Sequence, residues 1–453
     1  MEQNQKNKVK NWVKESLTLK MFIVGFLILI MLIPLSYIKA LISERKQNQE
    51  EVIQQIDQKW GKEVLIYGPV LQIPYKTYTK ETTYDEKTKK YYTTKTEHIK
   101  NAYFFPEQLN EKVKINTQER HLGMYKEMVF NSTINMDGRF PIPDFKSLDI
   151  KEKHVIWNKA KIIIKTTNLK GITNEVNIKI KDNKYPFKPI YNDNTRYNTP
   201  IKTHTLETGN INKEDFLQEK ITSFSIDFFV NGSKQFRIIP IGKETKLNIV
   251  SNWSTNKFVG NFSPIEAEKV SKDGFNKNWK ILHINRPFSQ QFVEKLPNLN
   301  EFAFGVNFRT TVNEYQKNTR AVKYGFLLIG LTFLIFFLIQ SISKINIHPF
   351  QYLMIGIALT MFYTLLIAIT EHSDFQKAYL IASSSVVLLI SLYSKSILKN
   401  LKFPVLIGIS LTSLYAFIYV IIQLENYALL VGSIGLFIIL AAVMFISRKI
   451  KWN

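Results

Sequence analysis

Six long apolar runs constrain this chain more than any other feature. The first, Met21 to Tyr37 with an extension to Ile42, carries no charge before Lys39. After about 280 largely polar residues come five more: Tyr324 to Ile342, Tyr352 to Thr370, Ala378 to Tyr393 (the shortest), Phe403 to Ile422 and Tyr427 to Ile446. A helix of this length crosses roughly 30 Å of hydrocarbon. Lipid offers no water to a backbone amide, so each run must close its own hydrogen bonds as a helix. The mean hydropathy of −0.09 therefore averages a membrane part with a polar one and describes neither.

Orientation follows from the cations in the short connections, because Lys and Arg are retained on the cytoplasmic side. One set of connections holds Lys6, Lys8, Lys10, Lys14 and Lys20, then Lys344, then Lys395, Lys399 and Lys402, then Arg448, Lys449 and Lys451; the other holds only Lys377. This asymmetry predicts both termini in the cytoplasm and residues 43–323 outside. The expected organisation is a basic N-terminus (1–20), an anchor helix (21–42), a juxtamembrane helix (43–60), an outer mainly β domain (61–323), a five-helix bundle (324–446) and a basic tail (447–453). A cleaved signal peptide would also begin with a basic region before an apolar stretch. Here the stretch is longer than a signal core, no small-x-small site follows it, and Lys39-Ala40-Leu41 continues in helical sequence.

The chain has no cysteine, which excludes a disulfide scaffold, a thiolate metal site and a cysteine nucleophile. Its net charge is +23, and the outer region keeps 46 basic against 32 acidic residues. Such a surface suits acidic envelope polymers or anionic lipid headgroups. The excess of Lys over Arg, with abundant Asn and Ile, also reads as plain compositional bias.

Val52, Ile53, Ile56 and Trp60 fall on one face of a helix. Beyond them the period becomes two: Val176, Ile178 and Ile180 alternate with polar residues, as do Phe224, Ile226, Phe228 and Val230. Asn231-Gly232 suits a tight hairpin, which predicts a meander continuing through Gln235–Pro240, a turn at Gly242-Lys243-Glu244 and a strand over Lys246–Trp253. Further strands are expected at Tyr75–Tyr84, Tyr91–Phe105, Lys161–Thr167, Phe258–Phe262 and Trp279–Ile284. Short strands at this spacing predict an antiparallel, sandwich-like domain.

Neither a phosphate-cradling P-loop nor a dinucleotide-binding glycine fingerprint occurs. No two of His98, His121, His154, His204, His283, His348 and His372 lie at the i, i+4 spacing of a helical zinc site. No serine sits in the G-x-S-x-G pattern. Between their ends the five C-terminal runs contain no Asp, Glu, Lys, Arg or His, whereas ion- and proton-coupled transport places such groups at mid-membrane. The polar cluster near the membrane is Glu371-His372-Ser373-Asp374, where carboxylates beside an imidazole could bind a cation or relay a proton, or simply face water in a loop.

A series of short elements runs along the chain: Ser43-Glu44-Arg45, Trp60-Gly61, Gly68-Pro69-Val70-Leu71, Pro74-Tyr75, Ile239-Pro240-Ile241-Gly242-Lys243-Glu244-Thr245, Phe262-Ser263-Pro264, and Gly274-Phe275 leading to Trp279. Arg320 to Gly325, His348-Pro349-Phe350-Gln351-Tyr352, Glu371-His372 with Phe375, and Ala378-Tyr379 complete it. In this order the elements resemble the CreD-type family of inner-membrane proteins associated with cell envelope integrity. The resemblance covers nearly the whole chain. It implies a bacterial inner-membrane protein with one anchor, a large periplasmic domain and a C-terminal bundle, linked to envelope stress and expressed with a two-component system. It implies no catalytic residue, cofactor or metal, and none is assigned. Glu44, Arg45, Glu371 and His372 are the functional candidates. The chain departs from its relatives chiefly in the lysine-rich strands between Lys76 and Lys100.

The expected function is non-enzymatic support of the envelope, with the lipid bilayer and an envelope polymer, lipid or protein as partners and no nucleic acid. The alternative is a transporter or channel-like protein passing an apolar or lipid-like solute through the bundle. Oligomeric state and ligand stay open.

Overall fold

The computed structural model describes residues 17–448 except 86–88, 124, 191–202, 218–220, 255–256, 266–273, 309–313, 344, 399–400 and 425–426. Of the orientation-setting cations, Lys6 to Lys14, Lys344, Lys399, Lys449 and Lys451 lie outside the described residues. The chain divides into two compact units, one of residues 1–51 and 311–453, the other of 52–310. Helix α1 (Leu17–Trp60) runs unbroken through Pro34 for 44 residues, so the apolar run and the expected juxtamembrane helix are one element.

The second unit is a β domain. Its first half holds β1 (Val64–Asp85), β2 (Lys90–Phe104), β3 (Gln108–Leu122), β4 (Tyr125–Pro141), β5 (Lys161–Thr166), β6 (Asn177–Ile180), β7 (Asn183–Ile190) and β8 (His204–Thr208). After a single helical turn, α2 (Glu214–Leu217), come β9 (Ile221–Ser233), β10 (Gln235–Ile238), β11 (Glu244–Ser251), β12 (Phe258–Val259), β13 (Phe275–Leu282), β14 (Gln291–Val293) and β15 (Phe304–Asn307). Hydrogen bonding orders them β12-β15-β10-β1-β5-β8-β7-β6-β9-β4-β3-β11-β13, with β2 on β1 and β14 on β2. Most pairs are antiparallel; β1 with β10 and β3 with β11 are parallel.

The path folds over on itself to make a sandwich. β7 turns the corner, since Asn183–Pro186 pair with β6 and Phe187–Ile190 with β8. At the far side the path's ends meet through rings: Phe258 of β12 stands 5.5 Å from Trp279 of β13, and Trp279 lies 5.9 Å from Phe304 of β15. The Trp279 indole N–H donates to the Phe262 carbonyl at 3.2 Å. Strict alternation on β9 places Phe224, Ile226, Phe228 and Val230 in the core, each worth ~1.5–3 kcal/mol of burial.

The expected meander is wrong. β9 runs straight through Asn231 and Gly232, which pair with Asn131 and Phe130 of β4. The positive φ falls on Lys234 instead (65°), where the chain crosses to the other sheet. There Gln235–Ile238 pair with β15, and Phe236–Ile238 pair in parallel with Val64–Ile66 of β1. β11 likewise ignores β10 and lies between β3 and β13. Gly232 is needed for close approach, because a Cβ there would lie 2.6 Å from the side chains of both Phe130 and Val64.

The first unit adds α3 (Glu314–Lys323), α4 (Gly325–Ser343), α5 (Pro349–Thr370), α6 (Phe375–Leu398), α7 (Lys402–Gln423) and α8 (Ala428–Ser447) to the start of α1. α1 and α4–α8 are six helices long and apolar enough to cross a membrane. α6, expected to be the shortest, has 24 residues; Gln376-Lys377 and Ser394-Lys395-Ser396 at its ends dilute the apolar signal. Gly356 lets α5 approach α1, since a Cβ there would sit 2.6 Å from the Met31 sulfur. Polar side chains inside the bundle pair locally: Tyr352 donates to Gln340 at 2.8 Å and Tyr379 to the Tyr415 carbonyl at 2.8 Å. His348 caps α5, accepting from the Phe350 N–H at 3.2 Å while its own N–H donates to Gln351 at 2.9 Å, so this histidine serves the helix start.

Candidate functional site

Two of the four candidate residues meet. Arg45 Nε on α1 lies 3.5 Å from Oε1 of Glu371, the C-cap of α5; the carboxylate side chain is 14% exposed and the arginine 41%. Glu44 and His372 are exposed. The sequence-adjacent cluster does not converge: Asp374 pairs with Lys377 at 3.6 Å, and the Ser373 hydroxyl donates to the Ile369 carbonyl at 3.0 Å.

Around this ion pair the unit builds a collar at one end of the bundle, and α3 is its main part. The Glu314 carboxylate accepts from the Phe375 N–H at 3.1 Å, at the positive N-terminal end of α6. Arg320 donates to the Ile422 carbonyl at 3.4 Å, at the negative C-terminal end of α7. Lys317 sits 3.4 Å from Glu314 and 5.6 Å from the Phe375 ring centre. Between them Asn318 is fully buried with neither amide atom hydrogen-bonded. The sequence hides α3 because its inward positions, Tyr315, Asn318, Ala321 and Val322, include a polar residue and the helix has only ten residues.

The β domain holds its own buried ionisable groups. Glu111 on β3 occupies a core slot between Leu109 and Val113, with Met136 beside it on β4 and Leu247 on β11. It is 2% exposed, its Oε2 has no partner, and burial pushes its carboxyl up to about 8. Leu-x-Glu-x-Val-x-Ile over 109–115 carried a signal that was missed: a carboxyl in an apolar register.

Arg286, 4% exposed, donates to the carbonyls of Ile241 at 2.8 Å, Gly242 at 3.0 Å and Phe288 at 3.1 Å, and stacks 3.8 Å from the Phe288 ring centre. Burial lowers its guanidinium to about 10. The buried Tyr67 phenol, pushed up by desolvation, lies in its field. No periodicity announces Arg286, because it follows a single 3-10 turn over His283–Asn285. Asp215 accepts from Tyr185 at 2.6 Å and Asn183 at 3.0 Å, and buried Asp57 pairs with Lys234. Among the described residues no three His, Asp or Glu side chains gather as a metal site would require.

A further feature of the β domain is the distal part of the β1–β2 hairpin. β1 pairs with β5 as far as Gln72, while β2 pairs with β14 only at Ala102–Phe104. From Thr79 and from Ile99 outward the described side chains are exposed, on both faces. The result is a two-stranded ribbon standing clear of the core.

The sequence has counterparts among known proteins. Residues 16–453 match the family model described as inner membrane protein CreD. The chain is 27% identical over 435 residues to the inner membrane protein CreD of Escherichia coli (strain K12), covering 94% of this chain and 91% of that one. With six apolar helices and the sandwich in place, and a match across almost its entire length, the chain belongs to the CreD family of inner membrane proteins.

Proposed function

We propose that the protein supports the integrity of the cell envelope or its response to stress without catalysing a reaction, its β domain facing the periplasm and binding or sensing an envelope component. The observation that carries this reading is how the β domain uses its polar groups. Arg286, Asp215 and Asp57 are spent on neighbouring carbonyls and side chains, and the ribbon is left to meet other molecules. In this reading both termini lie in the cytoplasm and residues 43–323 outside, an orientation that the cation asymmetry supports.

Because the chain lacks cysteine, a single introduced thiol reports on placement. Lys146→Cys, in an exposed loop of the β domain, should react with a membrane-impermeant maleimide in intact spheroplasts, and Ser396→Cys, at the end of α6, should not. The reverse pattern refutes the orientation. Deleting the gene should sensitise cells to detergent, with rescue by the full chain; unchanged robustness refutes the envelope role.

A second reading, passage of an apolar or lipid-like solute through the bundle, draws on the buried Tyr363 and Tyr415 hydroxyls, which have no partner. Loss of solute flux in vesicles on Glu371→Gln or His372→Ala, with folding intact, would favour it.

A further inference from the structure

We propose that the β1–β2 ribbon is a binding surface for an anionic polysaccharide, held between aromatic platforms and lysines on one of its two faces. This rests on the reading above that the domain meets an envelope component, and it names the surface and the ligand class.

The ribbon's register sorts its side chains. Residues directly opposite share a face, so Lys76, Tyr78, Lys80, Thr82 and Tyr84 line one face with their partners Ile99, Glu97, Lys95, Thr93 and Tyr91. The other face carries Thr77, Thr79, Glu81 and Thr83 opposite His98, Thr96, Thr94 and Tyr92. The first face is therefore cationic and aromatic, and the second mostly threonine.

On the first face, Tyr84 and Tyr91 form a cross-strand pair with ring centres 4.9 Å apart, 47% and 73% exposed. Lys95 Nζ stands 3.9 Å from the centre of the Tyr78 ring. Glu97 is held by Lys76 at 2.9 Å and also feels Lys95, so three lysines against one carboxylate leave this face with a net positive charge, Lys80 foremost, for an anion. Tyr78 and Tyr84 lie six residues apart on one strand, ~20 Å at about 3.3 Å per residue. A ligand touching both platforms must be a polymer.

Composition separates a sugar polymer from a bilayer. Residues 76–100 hold seven lysines, four carboxylates, eight threonines and four tyrosines, with Ile99 alone among large aliphatic residues and no Phe, Trp or Leu. A membrane-inserting element presents large apolar side chains to the acyl boundary, and this one has almost none. Rings that stack on sugar faces, hydroxyls that share their hydrogen bonds and cations that meet carboxylate or phosphate fit an acidic glycan. Among the described residues no other strand pairs with either outer edge of the distal ribbon, so backbone N–H groups add donors.

The test uses the full chain in phosphatidylcholine nanodiscs and three polymers of one backbone: neutral dextran, carboxymethyl-dextran and phosphate-dextran. Wild type should bind at least one charged dextran in preference to the neutral one, and added salt should weaken that binding. Tyr84→Ala/Tyr91→Ala and Lys80→Glu/Lys95→Glu should each weaken it by about tenfold, with far-UV circular dichroism unchanged. Undiminished binding in both variants overturns the ribbon as the site and leaves the broader envelope reading standing. Equal binding of neutral and charged dextrans, or of none, overturns the ligand class; the envelope reading is judged separately by the deletion phenotype. Binding to phosphatidylglycerol vesicles without binding to either charged dextran replaces the glycan by a membrane surface and also overturns the proposal.

Discussion

Replacing Glu111 by glutamine should make the β domain markedly more resistant to alkali. The wild-type carboxyl sits in a row of Met136, Leu247 and Trp279 across β4, β3, β11 and β13, and burial alone raises it from 4.5 to about 8. Between those values the folded chain keeps a proton that the unfolded chain has released. The folded state is thus favoured most below the unfolded value, and that advantage is lost as pH climbs through about 8. The full span corresponds to ~5 kcal/mol at about 1.4 kcal/mol per tenfold step, an upper bound because strand breathing would admit water. Glutamine has nearly the same shape and no proton to lose. Urea unfolding of both proteins, followed by tryptophan fluorescence from pH 5 to pH 9, should give similar stabilities at the acid end and a gap of several kcal/mol at the alkaline end. A gap that stays constant across that range would show that Glu111 has access to water or to a partner, and would refute the reasoning.

Glu371→Arg should lower the melting temperature of the membrane unit, because two cations then face each other at the α1–α5 contact. Adding Arg45→Glu should restore most of the loss, which is on the order of 1 kcal/mol for so exposed an arginine; no recovery in the double variant would mean that the 3.5 Å contact carries no coupling. Gly356→Leu should push Met31 aside and cost ~1–3 kcal/mol, read as a lower melting temperature in detergent, whereas Gly330→Leu, with nothing within 4 Å of its would-be Cβ, should be close to neutral.

The six spans are legible because hydrocarbon imposes one solution on any apolar stretch of sufficient length, so composition alone finds α1 and α4–α8. Strands such as β6 and β9 are legible for a related reason: a half-buried sheet imposes a period of two. Pairing is less local. Nothing within Gln235–Ile238 says that its neighbours are β1 and β15, and Asn231-Gly232 carries the composition of a hairpin while its glycine answers a steric demand from Phe130 and Val64. The Arg45–Glu371 contact joins two hints far apart in sequence, whereas the rest of the collar depends on α3, whose inward face is too short and too polar to stand out. Glu111 was readable in principle, since a carboxylate in an alternating apolar strand contradicts its surroundings.

The parallel pairing of β1 with β10 has a temporal consequence. Val64 finds its partner at Phe236, about 170 residues further on, and β10 in turn waits for Phe304–Asn307. A nascent chain emerging from its N-terminus therefore carries one flank of β1 uncovered until β10 has been made, and the outer flank of β10 uncovered until β15, close to the last segment before α3. For that interval the half-built layer is sticky toward any other extended peptide, so synthesis of this domain calls for a holding factor or for a pace of emergence faster than chance encounters.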